Sequence, residues 1–137
     1  MGKKSEAYVD TSALIAFADR SDTYHPLFRR LFGNPPLLIT TSLVIAEGHG
    51  WFLRRYDQSR ALQFLSMIEE MEEAMRILPI GQTELTEATA VLRKYSDQDL
   101  TLTDASGLYL MRTRRIRSCW STDFQLGLTG VPLVIHE

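Results

Sequence analysis

The sequence has little of what holds small secreted proteins or membrane proteins in place. It has one cysteine, Cys119, in 137 residues, which excludes an internal disulfide and a cysteine-rich zinc module and favours a reducing compartment. No apolar run approaches the roughly 20 residues of a membrane span. Residues 1–6 lack the apolar core of a signal peptide and the Ser or Thr of a myristoylation signal. These absences predict a cytoplasmic protein.

The chain also lacks a dominant charge and any internal boundary. Its 15 basic and 17 acidic residues give a net charge of −2, which excludes a histone-like polycation. No repeat, low-complexity tract or flexible linker divides it. A hydrophobic content of 45% with 23% charged residues is ordinary for a globular domain. We therefore expect one domain over residues 1–137.

Turn-forming residues separate short β-rich runs from longer helical segments. The predicted strands are 7–9, 37–39, 75–78, 118–122 and 131–135. The predicted helices are 11–19, 24–32, 42–56, 57–71, 83–95 and 103–115. Strands that alternate with helices become parallel strands joined by crossovers. The pattern predicts an α/β fold, a three-layer α/β/α sandwich with a mainly parallel central sheet of about five strands.

Two aspartates directly follow predicted strands. Asp10 comes after the strand at 7–9, and Asp123 comes after the strand at 118–122. The carboxyl ends of parallel strands meet at one edge of the sheet, where the sites of open α/β folds form. We expect both carboxylates at that edge.

Two further acidic residues lie on the inward faces of predicted helices. Residues three or four apart share a helix face. Glu47 therefore lies on the stripe of Leu43 and Trp51, and Asp104 lies on that of Leu108. We expect no Lys or Arg on either stripe, and an inward carboxylate without a partner is costly.

Four converging carboxylates would repel one another, which would raise the pKa of at least one unless a divalent cation neutralised them. An all-oxygen ligand set completed by water suits Mg²⁺ or Mn²⁺, whereas no His and Cys residues are spaced for zinc. Such an ion polarises a phosphoryl oxygen, activates water and stabilises the leaving oxygen. The residues predict metal-dependent hydrolysis of a phosphodiester.

Each acidic residue also has a simpler explanation. Asp10 is placed to cap a helix, Asp104 to stabilise a first turn through the helix dipole, and Asp123 to form a turn. Glu47 lies in mid-helix, where no capping role exists. His49 is two residues further on and points about 200° away around the helix, at about 100° per residue, so we predict a packed or surface histidine there.

Four short segments follow one another in a defined order. They are YVDTSALIA at 8–16, TSLVIAE at 41–47, LTLTDA at 100–105 and STDF at 121–124. Together they resemble the motifs of the PIN-domain family, most closely its small prokaryotic VapC-type ribonuclease toxins, over nearly the whole chain. The resemblance implies a PIN-like fold and an endoribonuclease, dependent on Mg²⁺ or Mn²⁺, that cleaves single-stranded or structured RNA with metal-activated water.

By motif position, the resemblance assigns four residues to the catalytic and metal-binding site: Asp10, Glu47, Asp104 and Asp123. Ser12 and Thr122 resemble hydroxyl positions that help to order metal-bound water. The resemblance also implies the toxin of a toxin-antitoxin pair, a homodimer held inactive by an antitoxin whose tail covers the site. Gly48 and Gly50 depart from the pattern, which predicts either close helix packing or a kink.

A cluster of arginines ends the predicted helix at 103–115: Arg112, Arg114, Arg115 and Arg117. Arginine suits bidentate contact with phosphate, and cations also stabilise a helix C-terminus. At 1.5 Å per residue the cluster lies roughly 12 to 20 Å from Asp104. We predict contact with RNA or an antitoxin, and simple helix capping stays an alternative.

Other classes differ at particular positions. A haloacid-dehalogenase-like phosphatase requires a second Asp two residues after Asp10, where this chain has Ser12. A receiver domain requires an acidic pair in its first loop and a lysine near its last strand, and neither is present. A housekeeping PIN-type RNA-processing nuclease, or a PIN-like module that binds RNA or protein without cutting, stays open.

Overall fold

The computed structural model describes residues 5–136, which form a parallel sheet flanked by helices. The strands are β1 (Glu6–Val9), β2 (Leu37–Thr41), β3 (Met75–Leu78) and β4 (Cys119–Trp120). The helices are α1 (Thr11–Ala18), α2 (His25–Gly33), α3 (Ser42–Arg55), α4 (Gln58–Glu70), α5 (Gln82–Lys94) and α6 (Leu102–Thr113). None of these helices is long and apolar enough to cross a membrane. Residues 1–4 and 137 lie outside the described residues. They belong to the single domain predicted over 1–137, and the statement on signal peptides concerns residues 1–6.

The predicted α/β fold is confirmed, with helix ends within two residues of the predicted ones. The fifth strand at 131–135 is wrong, because the sheet described has four strands. Leu133 forms an isolated bridge with Cys119, and a 3₁₀ helix follows at Val134–His136. Pro132 has no N–H to donate to a ladder, and β4 itself is two residues long.

The order of the strands, β3-β2-β1-β4, places β1 between β2 and β4. The chain adds β2 and β3 on one side of β1 and then returns to add β4 on the other side. The direction of winding therefore reverses between β1 and β4, and ligands bind at such a switch point. Val9 pairs with Trp120 in the last register of these two strands, so the residues after them emerge side by side.

The two central strands form the most buried part of the sheet. Tyr8 and Val9 of β1 and Leu38 and Ile39 of β2 have no exposed surface. Such strands, covered on both faces, are continuously apolar rather than alternating. The Thr40 hydroxyl donates a hydrogen bond to the Val9 carbonyl at 2.6 Å, which ties the strands together at the edge where β1 ends.

Two helices approach their neighbours closely because each has a glycine at the contact. A Cβ at Gly48 would overlap the Phe64 ring of α4, and a Cβ at Gly107 would lie 2.7 Å from the Tyr8 hydroxyl of β1. α3 is unbroken over its 14 residues. Of the two alternatives, close packing against another element is the one that the structure shows for Gly48.

Candidate active site

A cleft of about 390 Å³ opens where β1 and β4 end, and all four predicted acidic residues line it. We call it the acid cleft. Its acidic residues come from the ends of β1 and β4, from α3 and from the first turn of α6: Asp10, Asp123, Glu47 and Asp104. The other lining residues are Thr11, Ser12, Ile15, Trp51, Arg54 and Thr101. The fold brings together carboxylates that are far apart in the sequence.

Asp10 is the most enclosed of the four carboxylates, with 4% of its surface exposed. Its Oδ2 accepts hydrogen bonds from the hydroxyls of Ser12 at 3.0 Å and Ser121 at 2.9 Å. Burial is the largest cause that raises its pKa to about 6; the Asp104 charge raises it further, and the hydroxyls oppose the shift. Asp10 occupies the N-cap of α1 but makes no side-chain capping hydrogen bond, so capping does not explain it.

Asp104 is part of a capping box and is also buried against the cleft. Its N–H donates to the Thr101 hydroxyl at 3.1 Å, and the Thr101 N–H donates to its Oδ2 at 3.0 Å. Burial raises the pKa of Asp104, the Thr101 hydrogen bonds oppose the shift, and the charges of Asp123 and Glu47 add to it. The expected stabilisation of the first helical turn therefore involves one carboxylate oxygen, Oδ2. The Asp104 carboxylate lines the acid cleft as well.

Asp123 and Glu47 are half-buried at the rim of the acid cleft. Asp123 Oδ1 accepts the Gln125 N–H at 2.9 Å, which stabilises the turn after β4 as expected of a turn residue. Within residues 5–136, the ion pair found joins Arg114 to Glu6. None of the four cleft carboxylates therefore forms a direct ion pair with a basic side chain in this part of the chain.

Serine hydroxyls connect the ends of β1 and β4. Ser12 Oγ accepts the Thr122 N–H at 3.0 Å and lies 3.1 Å from Ser121 Oγ. The Ser12 hydroxyl donates to the Asp10 carboxylate, and the second hydroxyl on Asp10 belongs to Ser121. Thr122 contributes its backbone N–H to Ser12. The role of Ser12 and Thr122 in ordering metal-bound water stays a prediction. Ser121 is fully buried, whereas Thr122 is partly exposed. Both residues follow the end of β4, so the packing around them decides which hydroxyl reaches Asp10.

Sequence reasoning missed Arg54, which lines the acid cleft. The stripe of α3 that carries Glu47 continues through Trp51 to Arg54, at spacings of four and then three residues. The expectation that no basic residue shares this stripe is therefore wrong, because Arg54 lies on it one helical turn beyond Trp51. His49 does not line the cleft, in agreement with its predicted structural role.

The donor set of the acid cleft fits a hydrated hard cation. Its ligand atoms are oxygens, and the buried Thr11 hydroxyl at the cleft has no hydrogen-bond partner among residues 5–136. In the same residues, no group of three or more His, Cys, Asp or Glu side chains is arranged to hold a metal ion by itself. Mg²⁺ keeps several waters and is commonly held through one or two carboxylates, which fits this cleft, whereas zinc is usually held by three or four protein ligands.

The arginine cluster lies at the other end of α6 from Asp104. Its exposed members line a second cleft of about 470 Å³ with residues that include 129–132, and we call this the basic cleft: Arg112, Arg115 and Arg117. Arg114 differs, because it pairs with Glu6 at 2.9 Å. Arg115 has a φ of 55°, a left-handed conformation that helix ends usually give to glycine.

Residues 7–125 match the family model of the PIN domain. This match covers most of the chain, and the chain belongs to the PIN domain family. The resemblance of the four sequence motifs to this family is therefore confirmed.

Solved structures share the fold. The VapC20 toxin of Mycobacterium tuberculosis, described as cleaving the sarcin-ricin loop, has a TM-score of 0.82 at 20% identity, covering 92% of this chain and 96% of its own. PAE2754 of Pyrobaculum aerophilum has a TM-score of 0.62 at 21% identity, covering 96% and 91%. A toxin-antitoxin complex of Klebsiella pneumoniae has a TM-score of 0.61 at 20% identity, covering 93% and 95%. A comparison with curated proteins gives no match.

Proposed function

We propose that this chain is an endoribonuclease, dependent on Mg²⁺ or Mn²⁺, that cleaves single-stranded or structured RNA as the toxin of a toxin-antitoxin pair. The observation that carries the proposal is the convergence of four unpaired carboxylates on one switch-point cleft in a PIN domain: Asp10, Glu47, Asp104 and Asp123. The neighbours described as a sarcin-ricin loop cleaving toxin and a toxin-antitoxin complex support it by analogy of fold.

In this proposal the role of each of the four carboxylates depends on how deeply it is buried. Asp10 and Asp104, the two most buried, would hold the metal, and Glu47 and Asp123 at the rim would add negative charge around it. The metal, when bound, would polarise the phosphoryl oxygen and supply an activated water. The hydroxyls of Ser12 and Ser121 both bind Oδ2 of Asp10 and hold this carboxylate in one orientation, and neither hydroxyl occupies Oδ1.

The basic cleft offers a surface for RNA phosphates at a distance from the cleavage point. Arg112, in the last turn of α6, lies roughly 12 Å from Asp104 along the helix axis, at 1.5 Å per residue. We assign Arg112, Arg115 and Arg117 to this contact. Arg114 holds the end of α6 against β1 through Glu6, so its contribution to binding is smaller than that of the other three.

We further propose that the chain acts as a single domain in a cytoplasmic homodimer and that a small antitoxin inhibits it by covering the acid cleft. The neighbour from Klebsiella pneumoniae, solved as a toxin-antitoxin complex, supports the partner. The free thiol of Cys119 is buried, which suits a reducing compartment.

The decisive experiment is cleavage of a labelled single-stranded RNA by the purified chain with Mg²⁺, with Mn²⁺ and with EDTA. Because each carboxylate binds the metal or its waters, we expect Asp10→Asn and Asp104→Asn to lower the cleavage rate by about 100-fold or more. Asp97→Asn, at an exposed acidic residue outside the acid cleft, is the matched control. Full cleavage by either cleft variant, in preparations free of contaminating nuclease, would refute the assignment.

The same assay separates the alternatives. RNA binding without cleavage by the wild-type chain in either metal would favour a non-cleaving PIN-like module. Cleavage that no small co-encoded protein inhibits would favour a housekeeping RNA-processing nuclease over a toxin.

A further inference from the structure

The acid cleft presents an electrostatic difficulty for its proposed substrate. RNA carries a negative charge at each phosphate, and the four carboxylates of the cleft are not paired with basic side chains within residues 5–136. A bound divalent ion offsets part of this charge. A phosphate that enters the cleft also needs a protein cation that the carboxylates have not already neutralised.

Arg54 meets this requirement. It is the basic residue among those that line the acid cleft, it is exposed, and no acidic side chain of residues 5–136 forms an ion pair with it. The neighbouring Arg55 is equally exposed but does not line the cleft, and its guanidinium lies 5.4 Å from the centre of the Tyr56 ring. Two adjacent arginines therefore face different surroundings.

Gly50 provides the space that Arg54 uses. A Cβ at Gly50 would lie 3.0 Å from Nη1 of Arg54, and the three heavy atoms nearest to that position all belong to the Arg54 guanidinium. The side chain of Arg54 therefore folds back by one turn along α3, toward the turn that carries Glu47. At Gly48, by contrast, the space of the missing side chain is filled by Phe64. The two glycines of α3 therefore make room for different side chains, Gly48 for Phe64 and Gly50 for Arg54.

We propose that Arg54 binds the non-bridging oxygens of an RNA phosphate in the acid cleft and that Gly50 allows its guanidinium to reach that position. This inference rests on the proposed ribonuclease function. A guanidinium binds phosphate through two parallel N–H groups, whereas the ammonium of lysine acts as a point charge. Arg54 is accordingly a substrate-binding residue and does not hold the metal.

The test compares Arg54→Ala and Arg54→Lys with Arg55→Ala, the adjacent and equally exposed control. Binding of a fluorescent single-stranded RNA is measured by anisotropy in EDTA over a range of salt concentrations, and KM and kcat are measured with Mg²⁺. We expect Arg54→Ala to raise Kd and KM about tenfold and to reduce the salt slope of log K by about 0.7, the share of one phosphate contact on a single strand. Arg54→Lys should keep the slope and recover part of the affinity, and Arg55→Ala should match the wild type.

Gly50→Ala is the second variant, because it retains the charge and displaces it. The atom that the new methyl group meets is the end of a flexible side chain, so we expect a helical circular dichroism spectrum like that of the wild type together with a raised KM. If Arg54→Ala and Gly50→Ala both match Arg55→Ala while the wild type cleaves RNA, the inference is wrong and the proposed function stands. If the wild type neither binds nor cleaves RNA, both are wrong.

Discussion

The two ends of α6 carry clefts of opposite charge that are built in different ways. The acid cleft at the N-terminal end draws its side chains from the ends of two strands and from three helices, α1, α3 and α6. Hydrogen bonds fix three of its carboxylates. The basic cleft at the C-terminal end is built from two local segments, 111–117 and 129–132. One region depends on the whole topology and the other mainly on the end of one helix.

Helix stability alone explains part of this arrangement. An acid at the N-terminus and bases at the C-terminus of a helix are both favoured by its dipole. The burial of Asp104, 7% exposed, and the left-handed backbone of Arg115 are not favoured by it. Both features cost stability, and features that a fold retains at a cost are where function is best sought.

The largest effect is expected from neutralising the acid cleft. A buried group whose folded-state pKa is raised from 3.8 to about 6 contributes most to stability when it is protonated, below pH 4. That contribution is lost as the pH rises through 6. Asp10→Asn stays neutral, so at pH 7 without divalent metal we expect its free energy of unfolding to exceed that of the wild type by up to roughly 3 kcal/mol, measured by urea denaturation.

The pH and metal dependence of this difference provide its controls. It should shrink as the pH falls from 6 to 4, where Asp10 of the wild type takes up its proton. It should also shrink at pH 7 with Mg²⁺, which stabilises the ionised wild-type cleft and not the variant. A difference that is the same at pH 4 and pH 7 would show that Asp10 does not ionise at a cost in the folded protein.

Two smaller effects of opposite direction are expected at the basic cleft, a gain in stability and a loss of RNA binding. Arg115→Gly relieves a left-handed conformation that costs a non-glycine residue about 1 kcal/mol, so thermal or urea unfolding should show a gain of that order. The same change removes one phosphate contact and should lower the salt slope of RNA binding by about 0.7. Arg117→Ala, which removes a charge without changing a left-handed residue, is the control for the slope. Unchanged RNA binding by both variants would leave the arginines with helix capping alone.

The smallest effect is expected at the ion pair that joins the end of α6 to the sheet. The Arg114–Glu6 pair joins the end of α6 to β1 at 2.9 Å, and both side chains are partly exposed. Because solvent screens such pairs, a double-mutant cycle with Arg114→Ala and Glu6→Gln should give a coupling energy of about 1 kcal/mol or less. A much larger coupling would mean that this pair, and not packing, sets the position of α6.

Much of the site followed from local spacing. Asp10 and Asp123 were predicted because each follows a strand, and Glu47 because an acidic residue interrupts an apolar helix face. Asp104 sits in a Thr-x-x-Asp capping box, a pattern that short-range hydrogen bonding explains, although the helix was predicted to begin one residue late. Each of these signals lies within one element or at its end.

Other features depended on what lies across the molecule. The strand predicted at 131–135 is wrong, because pairing requires an N–H that Pro132 lacks. Ser121 rather than Thr122 donates to Asp10, because the packing after β4 buries the Ser121 side chain beside that carboxylate. The position of Arg54 on the Glu47 face of α3 follows from helical spacing. That its guanidinium lies beside Gly50 follows only from the structure.

By itself, the sequence determined the alternation of strands and helices, the acidic residues that follow the strands and the family whose motifs they form. These properties depend on residues near one another in the chain, and local geometry is enough to read them. The tertiary structure decided that the carboxylates share one cleft, that Asp10 is buried enough to shift its pKa, and that the arginines divide between an ion pair and an open surface. Distance, burial and charge pairing between remote residues are set by the packing of the whole fold.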